Sequence, residues 1–145
     1  MKKILIAEDH VQVRENIAEL LGLAGYQSIT AADGREAVEK AISNAPDLIL
    51  CDVMMPQLDG YGVIKILRSN PRTASIPVIF LTARSAQEDL RKGMSLGAAD
   101  YITKPFDNAE LLQAIELRLL MADRETEFTS SEMLEVSSSK KWKEM

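Results

Sequence analysis

Residues 47–60 read DLILCDVMMPQLDG, and their pattern indicates the architecture of the whole chain. The uncharged residues 48–51 lead to one carboxylate, Asp52, and turn residues follow at Asp59 and Gly60. An apolar run of this length, bounded by turn residues, is typical of a strand that is buried on both faces of a parallel sheet. Asp52 would then lie at the carboxyl end of the strand, where open α/β sheets bind their ligands.

The composition of the chain favours one soluble globular domain. The chain has 145 residues, of which 46% are hydrophobic and 27% are charged, and this length suffices for one ordinary core. The net charge of −5 argues against direct nucleic-acid binding by the domain, because phosphate backbones attract basic surfaces. Near the amino terminus, the apolar residues 4–7 are too few for a signal peptide or a membrane span. A cytoplasmic protein that does not associate with membranes is therefore expected.

Apolar runs and helix-period patterns alternate along the chain. Strands are predicted at residues 4–7, 26–31, 48–52, 78–81 and 100–103. A helix follows each of them, within residues 13–24, 33–46, 59–70, 85–97 and 107–122. Strict alternation with short connections implies a parallel sheet that helices cover on both faces. The first, third and fourth strands are the most apolar and should be central. The predicted fold is therefore α/β, a flavodoxin-like (βα)5 doubly wound sheet of order 2-1-3-4-5 in a single domain.

Acidic or hydroxyl residues three positions before a glutamate indicate where several helices begin. This capping-box spacing occurs at Asp33, Ser85 and Asp107, and Asp59 is a further N-cap candidate. Asp9 lies three residues before Gln12. Asp9 could therefore be only the cap of the first helix, and that alternative stays open at this point.

The periodic pattern ends near residue 122, so the domain is assigned to residues 1–122. Residues 123–145 are polar, serine-rich and of mixed charge, and they are too few for an independent domain. They could extend the last helix or form a flexible tail or the start of a linker. A flexible tail is favoured, because chain ends are usually poorly ordered.

Polar side chains follow four of the predicted strands. Glu8 and Asp9 follow the first strand, Asp52 the third, Thr82 the fourth and Lys104 the fifth. Three neighbouring carboxylates repel one another unless a cation lies between them, and Mg²⁺ prefers such oxygen ligands. A lysine and a hydroxyl suit an anion, and a phosphoryl group is the natural partner of this set. Each residue alone could be an ordinary surface or strand-end residue, but independent placement would rarely put all of them at one edge.

This set of residues resembles the receiver (response regulator) domain of two-component signalling, over about residues 2–121. The resemblance rests on Glu8 and Asp9, Asp52 in DVMMPQLDG, Thr82 and Ala83, and Lys104 and Pro105. It implies that Asp52 accepts a phosphoryl group from a sensor histidine kinase or a phosphotransfer protein. The protein would then be a switch that catalyses only its own phosphorylation and dephosphorylation.

The resemblance also implies a metal site for Mg²⁺ or Mn²⁺. Asp9 and Asp52 would bind the ion directly, the backbone carbonyl of Met54 would complete the protein ligands, and Glu8 would act through a bound water. Lys104 would pair with the phosphoryl oxygens.

A conformational switch is the last implication of the resemblance. Thr82 would move to the phosphoryl group, the small Ala83 would leave room for it, and the aromatic Tyr101 would turn inward. The bond between Lys104 and Pro105 would be cis. The surface of the fourth helix, fifth strand and fifth helix, about residues 85–120, would then recruit a partner or a second copy.

Other interpretations remain open from the sequence. A haloacid-dehalogenase-like phosphatase also uses an aspartate after a strand, but it would need an acid at the position of Met54. A flavodoxin-like cofactor carrier would need a phosphate-binding loop after the first strand, where this chain has Glu8 and Asp9. The chain could also be the receiver part of a longer regulator with an output domain beyond residue 145.

Overall fold

The structure is a computed structural model that describes residues 1–83 and 87–138. Within these residues, strands and helices alternate in five pairs. The strands are β1 (Lys3–Ala7), β2 (Gln27–Ala31), β3 (Leu48–Asp52), β4 (Val78–Ala83) and β5 (Asp100–Lys104). The helices are α1 (Val11–Leu23), α2 (Gly34–Asn44), α3 (Gly60–Ser69), α4 (Gln87–Ser95) and α5 (Asn108–Ser138). The alternation predicted from the apolar pattern is confirmed.

The strands form one parallel sheet in the order β2-β1-β3-β4-β5. This is the predicted order, with the three most apolar strands in the interior. The register pairs Ala7 with Cys51 and Asp52 with Leu81. Because the strands are parallel and in this register, the residues that follow β1, β3, β4 and β5 meet at one edge of the sheet.

Strand β3 is buried along its whole length and separates two hydrophobic cores. Ile49 and Cys51 pack in the core that α2 and α3 cover. Leu48 and Leu50 pack in the core that α1 and α5 cover. Side chains alternate between the faces of a strand, so a strand between two layers of helices needs apolar residues at every position. This explains the uncharged run before Asp52.

Side-chain caps begin α2 and α3. The Asp33 carboxylate accepts a hydrogen bond from the Glu36 amide at 2.8 Å. The Glu36 side chain in turn accepts one from the Ala32 amide at 3.2 Å, which completes the capping box one residue before the cap. Asp59 accepts a bond from the Gly62 amide at 2.9 Å at the start of α3. Both predicted caps are confirmed.

The caps of the other helices differ from one another. Asp107 accepts a hydrogen bond from the Glu110 amide at 2.7 Å and caps α5 as predicted. The N-cap of α1 is His10, which makes no side-chain cap bond. The interpretation of Asp9 as a simple helix cap is therefore wrong, and its carboxylate remains available to the edge of the sheet. The predicted cap at Ser85 lies outside the described residues.

Helix α5 runs from Asn108 to Ser138, well past the end expected at residue 122. Of the two alternatives for residues 123–138, the structure has the helix extension and not the flexible tail that was favoured. The physical reason is composition, since these residues include no proline or glycine and several good helix formers, such as Arg124, Glu125 and Leu134. The loss of apolar periodicity indicates that packing against the sheet ends there, and it does not end the helix. Residues 139–145 lie outside the described residues.

A search for membrane-spanning helices among the described residues finds none with the required length and apolar character.

The contrast between a buried and an exposed leucine tests this packing. Leu50 is fully buried on β3, so Leu50→Ala should lower the free energy of unfolding by roughly 2–5 kcal/mol. Leu23, at the end of α1, is 83% exposed, and Leu23→Ala should change the free energy of unfolding by less than roughly 0.5 kcal/mol. Urea unfolding monitored by circular dichroism measures both. Equal effects of the two substitutions would contradict the assignment of β3 to the centre of the core.

Candidate functional site

Three carboxylates meet at the carboxyl edge of the sheet, as the strand ends predict. Glu8 and Asp9 follow β1, and Asp52 ends the neighbouring strand β3. One oxygen from each carboxylate lies within 4.8 Å of the others. Glu8 is fully buried and Asp52 is 6% exposed, while Asp9 is exposed to solvent. The cluster thus has a buried floor and an open rim.

Hydrogen bonds orient the two buried carboxylates. Glu8 accepts a bond from the His10 amide at 3.3 Å. Asp52 accepts one from the Met54 amide at 3.2 Å. The Arg14 guanidinium donates to the Glu8 backbone carbonyl at 2.8 Å, which fixes the chain where β1 turns into the loop. Sequence reasoning missed Arg14, although a basic residue one turn into the helix after an acidic pair is a visible signal.

Lys104 lies between the buried carboxylates. Its Nζ atom is 2.5 Å from the Glu8 Oε1 atom and 3.3 Å from the Asp52 Oδ2 atom. Burial opposes the charge of the ammonium, but the hydrogen bond to Glu8 and the negative charges of Asp52 and Glu8 outweigh it and raise the pKa of Lys104. The lysine therefore stays charged and partly neutralises the acidic floor.

The carboxylates are too close for both buried members to ionise easily. Burial, followed by the hydrogen bond and charge of Glu8, raises the pKa of Asp52 to about 7, although Lys104 and the Met54 amide act in the opposite direction. Burial also acts to raise the pKa of Glu8, but its hydrogen bonds with Asp52 and Lys104 prevail and lower that pKa. Without a further cation, the pair therefore keeps a proton near neutral pH, and Asp52 holds it.

The donor set fits a hard divalent cation. Carboxylate oxygens within 4.8 Å of one another could bind a single ion, and Mg²⁺ takes such oxygens while keeping several waters. The open rim at Asp9 leaves room for those waters. The exposed Met54, whose side chain is 73% exposed, places its backbone next to Asp52 at the same rim.

The remaining predicted residues surround the cluster at different depths. Thr82 is 2% exposed, and it follows Leu81, which pairs with Asp52 in the register of β3 and β4. Its hydroxyl donates to the Ala83 carbonyl at 3.4 Å, so no hydrogen bond holds it to Asp52 in this structure. Tyr101 on β5 is 41% exposed, which is the outward position. The peptide bond between Lys104 and Pro105 is cis, the isomer that the resemblance implies.

A cavity of about 470 Å³ adjoins the cluster between α1 and the start of α5. It is lined by Val13, Asn16, Ile17, Leu20, Lys104, Pro105, Phe106 and Asn108. Lys104 belongs both to this cavity and to the acidic floor, so a molecule in the cavity would approach Asp52 from the side of α1.

A family model for the response regulator receiver domain matches residues 4–116 of the chain. The chain belongs to this family. The match covers most of the domain and includes the acidic residues after β1, Asp52 and Lys104. Membership in the receiver family sets aside the haloacid-dehalogenase-like phosphatase and the flavodoxin-like carrier as families for this chain.

Individual receiver relatives agree with this assignment. The probable transcriptional regulator ycf27 of Cyanophora paradoxa is 42% identical over 130 residues, which are 90% of this chain and 53% of the relative. The DNA-binding dual master transcriptional regulator RpaA of Synechocystis is 40% identical over 124 residues, which are 86% of this chain and 52% of RpaA. The receiver chain thus spans about half the length of the curated relatives it matches.

A solved receiver structure has the same fold and a similar sequence. The receiver domain of the sensor histidine kinase PA1611 from Pseudomonas aeruginosa has a TM-score of 0.76 and 34% identity, and the match covers 81% of this chain and 97% of that domain. That structure carries a magnesium ion coordinated in its active-site cleft.

The raised pKa of Asp52 predicts how the metal-free receiver responds to pH. Because the folded state raises this pKa from 3.8 to about 7, the folded protein binds more protons than the unfolded chain between these values. The stability that protonated Asp52 provides is present near pH 4 and is lost as the pH rises through about 7. Asp52→Asn should therefore stabilise the protein in EDTA at pH 8, by roughly 1–3 kcal/mol, and much less at pH 5.

Urea unfolding of both proteins at the two pH values measures this difference. The measurement at pH 5 serves as the internal control, since wild-type Asp52 is largely protonated there. A destabilised Asp52→Asn variant at pH 8, or a difference that does not depend on pH, would contradict the prediction.

Proposed function

We propose that this receiver accepts a phosphoryl group on Asp52 from a phosphohistidine of a sensor histidine kinase or phosphotransfer protein. The observation that carries the proposal is the position of Asp52 at the carboxyl edge of the sheet, beside Lys104 at 3.3 Å and within one cluster of three carboxylates. A nucleophile, a cation site and an ammonium group are the parts that phosphoryl transfer requires.

The transfer step balances with these parts. An oxygen of the Asp52 carboxylate forms a bond to phosphorus while the bond between phosphorus and the imidazole nitrogen breaks. The electron pair of the broken bond stays on that nitrogen, and the product on the receiver is an acyl phosphate. A protonated Asp52 is a poor nucleophile, so the step requires that the cluster release the proton that its crowding favours.

A divalent cation, Mg²⁺ or Mn²⁺, is the proposed cofactor. Asp9 and Asp52 would hold it directly, with the backbone carbonyl of Met54, and Glu8 would contribute through a water molecule. When bound, the ion supplies positive charge that favours the ionised carboxylates and stabilises the phosphoryl oxygens. The magnesium ion in the related PA1611 receiver supports this assignment.

Lys104 has two roles in this proposal. Before phosphorylation its ammonium pairs with Glu8 and Asp52. Phosphorylation adds about −1.5 to −2 charges next to it, so the ammonium gains a stronger partner in the phosphoryl oxygens. The donor protein would bring its histidine close to Asp52 and Lys104, and the cavity that Lys104 lines beside α1 supports an approach from that side.

The proposed output is a change of the surface formed by α4, β5 and α5. Thr82 would turn its hydroxyl from the Ala83 carbonyl to the phosphoryl group, and the outward Tyr101 would move inward behind it. The exposure of Tyr101, Met94 and Leu117 supports this surface as the place where a partner or a second copy binds. The receiver domain is assigned to residues 1–122, and the cytoplasmic location is part of the proposal.

The regulated activity belongs to a part of the protein that this receiver does not contain or contacts only as a partner. Because the match covers about half of the curated relatives, one form of the proposal is a receiver within a longer transcriptional regulator. The other form is a single-domain regulator that acts by protein contact. In both forms, this domain does not itself bind nucleic acid.

Phosphorylation by a small phosphodonor tests the proposal directly. Wild-type protein incubated with acetyl phosphate and Mg²⁺ should gain one phosphoryl group by intact-mass spectrometry, and EDTA should abolish the gain. Asp52→Asn should not be labelled, because an amide cannot form the acyl phosphate. Lys104→Ala should be labelled more slowly, since its ammonium no longer offsets the charge of the incoming group.

Asp47→Asn is the matched control. Asp47 lies just before β3, at the opposite end of the strand from Asp52, where it accepts a hydrogen bond from the Lys3 amide. This variant should be labelled like the wild type. Undiminished labelling of Asp52→Asn at a single site would refute the role of Asp52.

A further inference from the structure

We propose that Gly34, the first residue of α2, is a positioning residue for the metal site, and that it acts through Leu58 in the loop that follows Asp52. This inference rests on the proposed metal-dependent function. It adds a residue that contacts neither the metal nor the phosphoryl group and lies on a different helix.

The loop of residues 53–59 connects Asp52 to α3 and carries Met54, whose carbonyl is a proposed metal ligand. Its two ends are held together near the strand. The Val53 amide donates to the Leu81 carbonyl at 3.1 Å, and the Gly60 amide donates to the Val53 carbonyl at 2.8 Å. The distal part of the loop lies beyond these bonds and needs a separate anchor.

That distal part holds an unfavourable backbone conformation. Gln57 has a φ angle of 71°, in the region that favours glycine. The Leu58 amide donates to the Pro56 carbonyl at 2.8 Å across Gln57, which closes a tight three-residue turn of the strained kind. Such a conformation persists only where surrounding contacts determine it.

Leu58 supplies those contacts, since it lies between two helix starts that are both free of side chains. A methyl group at Gly34 would lie 2.7 Å from the carbonyl carbon of Leu58 and 2.8 Å from its Cβ atom, and nearer still to its carbonyl oxygen. A methyl group at Gly62, on α3, would lie 3.1 Å from the Leu58 Cγ atom. The absence of a side chain at both glycines lets the Leu58 backbone rest on α2 and its side chain rest on α3.

The consequence is that α2 fixes the geometry of a loop that it does not belong to. Any side chain at Gly34 must push against backbone atoms of Leu58, which cannot rotate away as a side-chain end could. The displacement would pass along residues 54–57 to the carbonyl of Met54. Changes to groups that orient metal ligands typically weaken metal binding by about 10–100-fold.

Gly34→Ala tests the inference, with Mn²⁺ alone as the probe. The dissociation constant, measured from the paramagnetic resonance signal of free Mn²⁺, should rise by about tenfold. Phosphorylation by acetyl phosphate should require correspondingly more Mg²⁺ for half-maximal rate, while the rate at saturating Mg²⁺ stays close to that of the wild type. A role in stability alone would lower the unfolding midpoint in EDTA and leave the metal dissociation constant unchanged, and that result would overturn the inference.

Gly22→Ala is the matched control, because a methyl group at Gly22 on α1 would meet no atom within 4 Å. It should bind Mn²⁺ like the wild type. Leu58→Ala is the second variant, which removes the anchored side chain without adding bulk, and it should also weaken Mn²⁺ binding. If Gly34→Ala does not fold, Leu58→Ala decides, and wild-type affinity of folded Leu58→Ala overturns the inference. Wild-type protein that binds no Mn²⁺ would instead refute the proposed metal site itself.

Discussion

The structure depends on an electrostatic conflict at the carboxyl edge of its sheet. Folding brings Glu8 and Asp52 together on neighbouring strands, because the parallel register leaves no other place for the ends of β1 and β3. Both carboxylates are buried, and Lys104 provides a single ammonium between them. Like charges in a partly desolvated site cost free energy unless a proton or a cation offsets them. The native domain therefore accepts an unfavourable arrangement that apolar burial elsewhere must outweigh.

The same conflict makes the site responsive. A cluster whose charges were already balanced would gain little from a divalent cation and would resist a further anion. Here the charge that the cluster lacks is positive, so a cation binds favourably, and once it is bound a phosphoryl group can be accommodated. Under the proposed function, Lys104 then has a choice between Glu8 and the phosphoryl oxygens. This competition between two partners of one ammonium is the physical origin of a two-state element.

The residues that follow each strand were predictable because periodicity locates strand ends and parallel strands bring those ends together. Apolar runs predicted β1, β3 and β4 as central, and the spacing of Asp33, Asp59 and Asp107 predicted three helix starts.

What the sequence could not predict depends on tertiary contacts. The pairing of Lys104 with Glu8 joins side chains 96 positions apart, and the contact of Gly34 with Leu58 joins a helix start to a loop that no periodic pattern describes. The length of α5 was missed for another reason. Helical pattern reports packing, whereas residues 123–138 are helical without a periodic apolar face.

The site lies between two sides of the domain that differ in how firmly they are fixed. On the side of α2 and α3, Leu58 and the strained turn at Gln57 are held by close backbone contacts, which leave a metal ligand little freedom. On the side of α4, Gly93 is the buried residue among residues 91–95, and it rests on Phe80.

Few buried contacts permit an element to shift at low cost, whereas dense contacts do not. A metal site needs fixed ligands, and an output surface needs an element that can move. Thr82 ends its strand on the α4 side, so a phosphoryl group at Asp52 would act on the side that can move while the cation stays bound to the side that cannot.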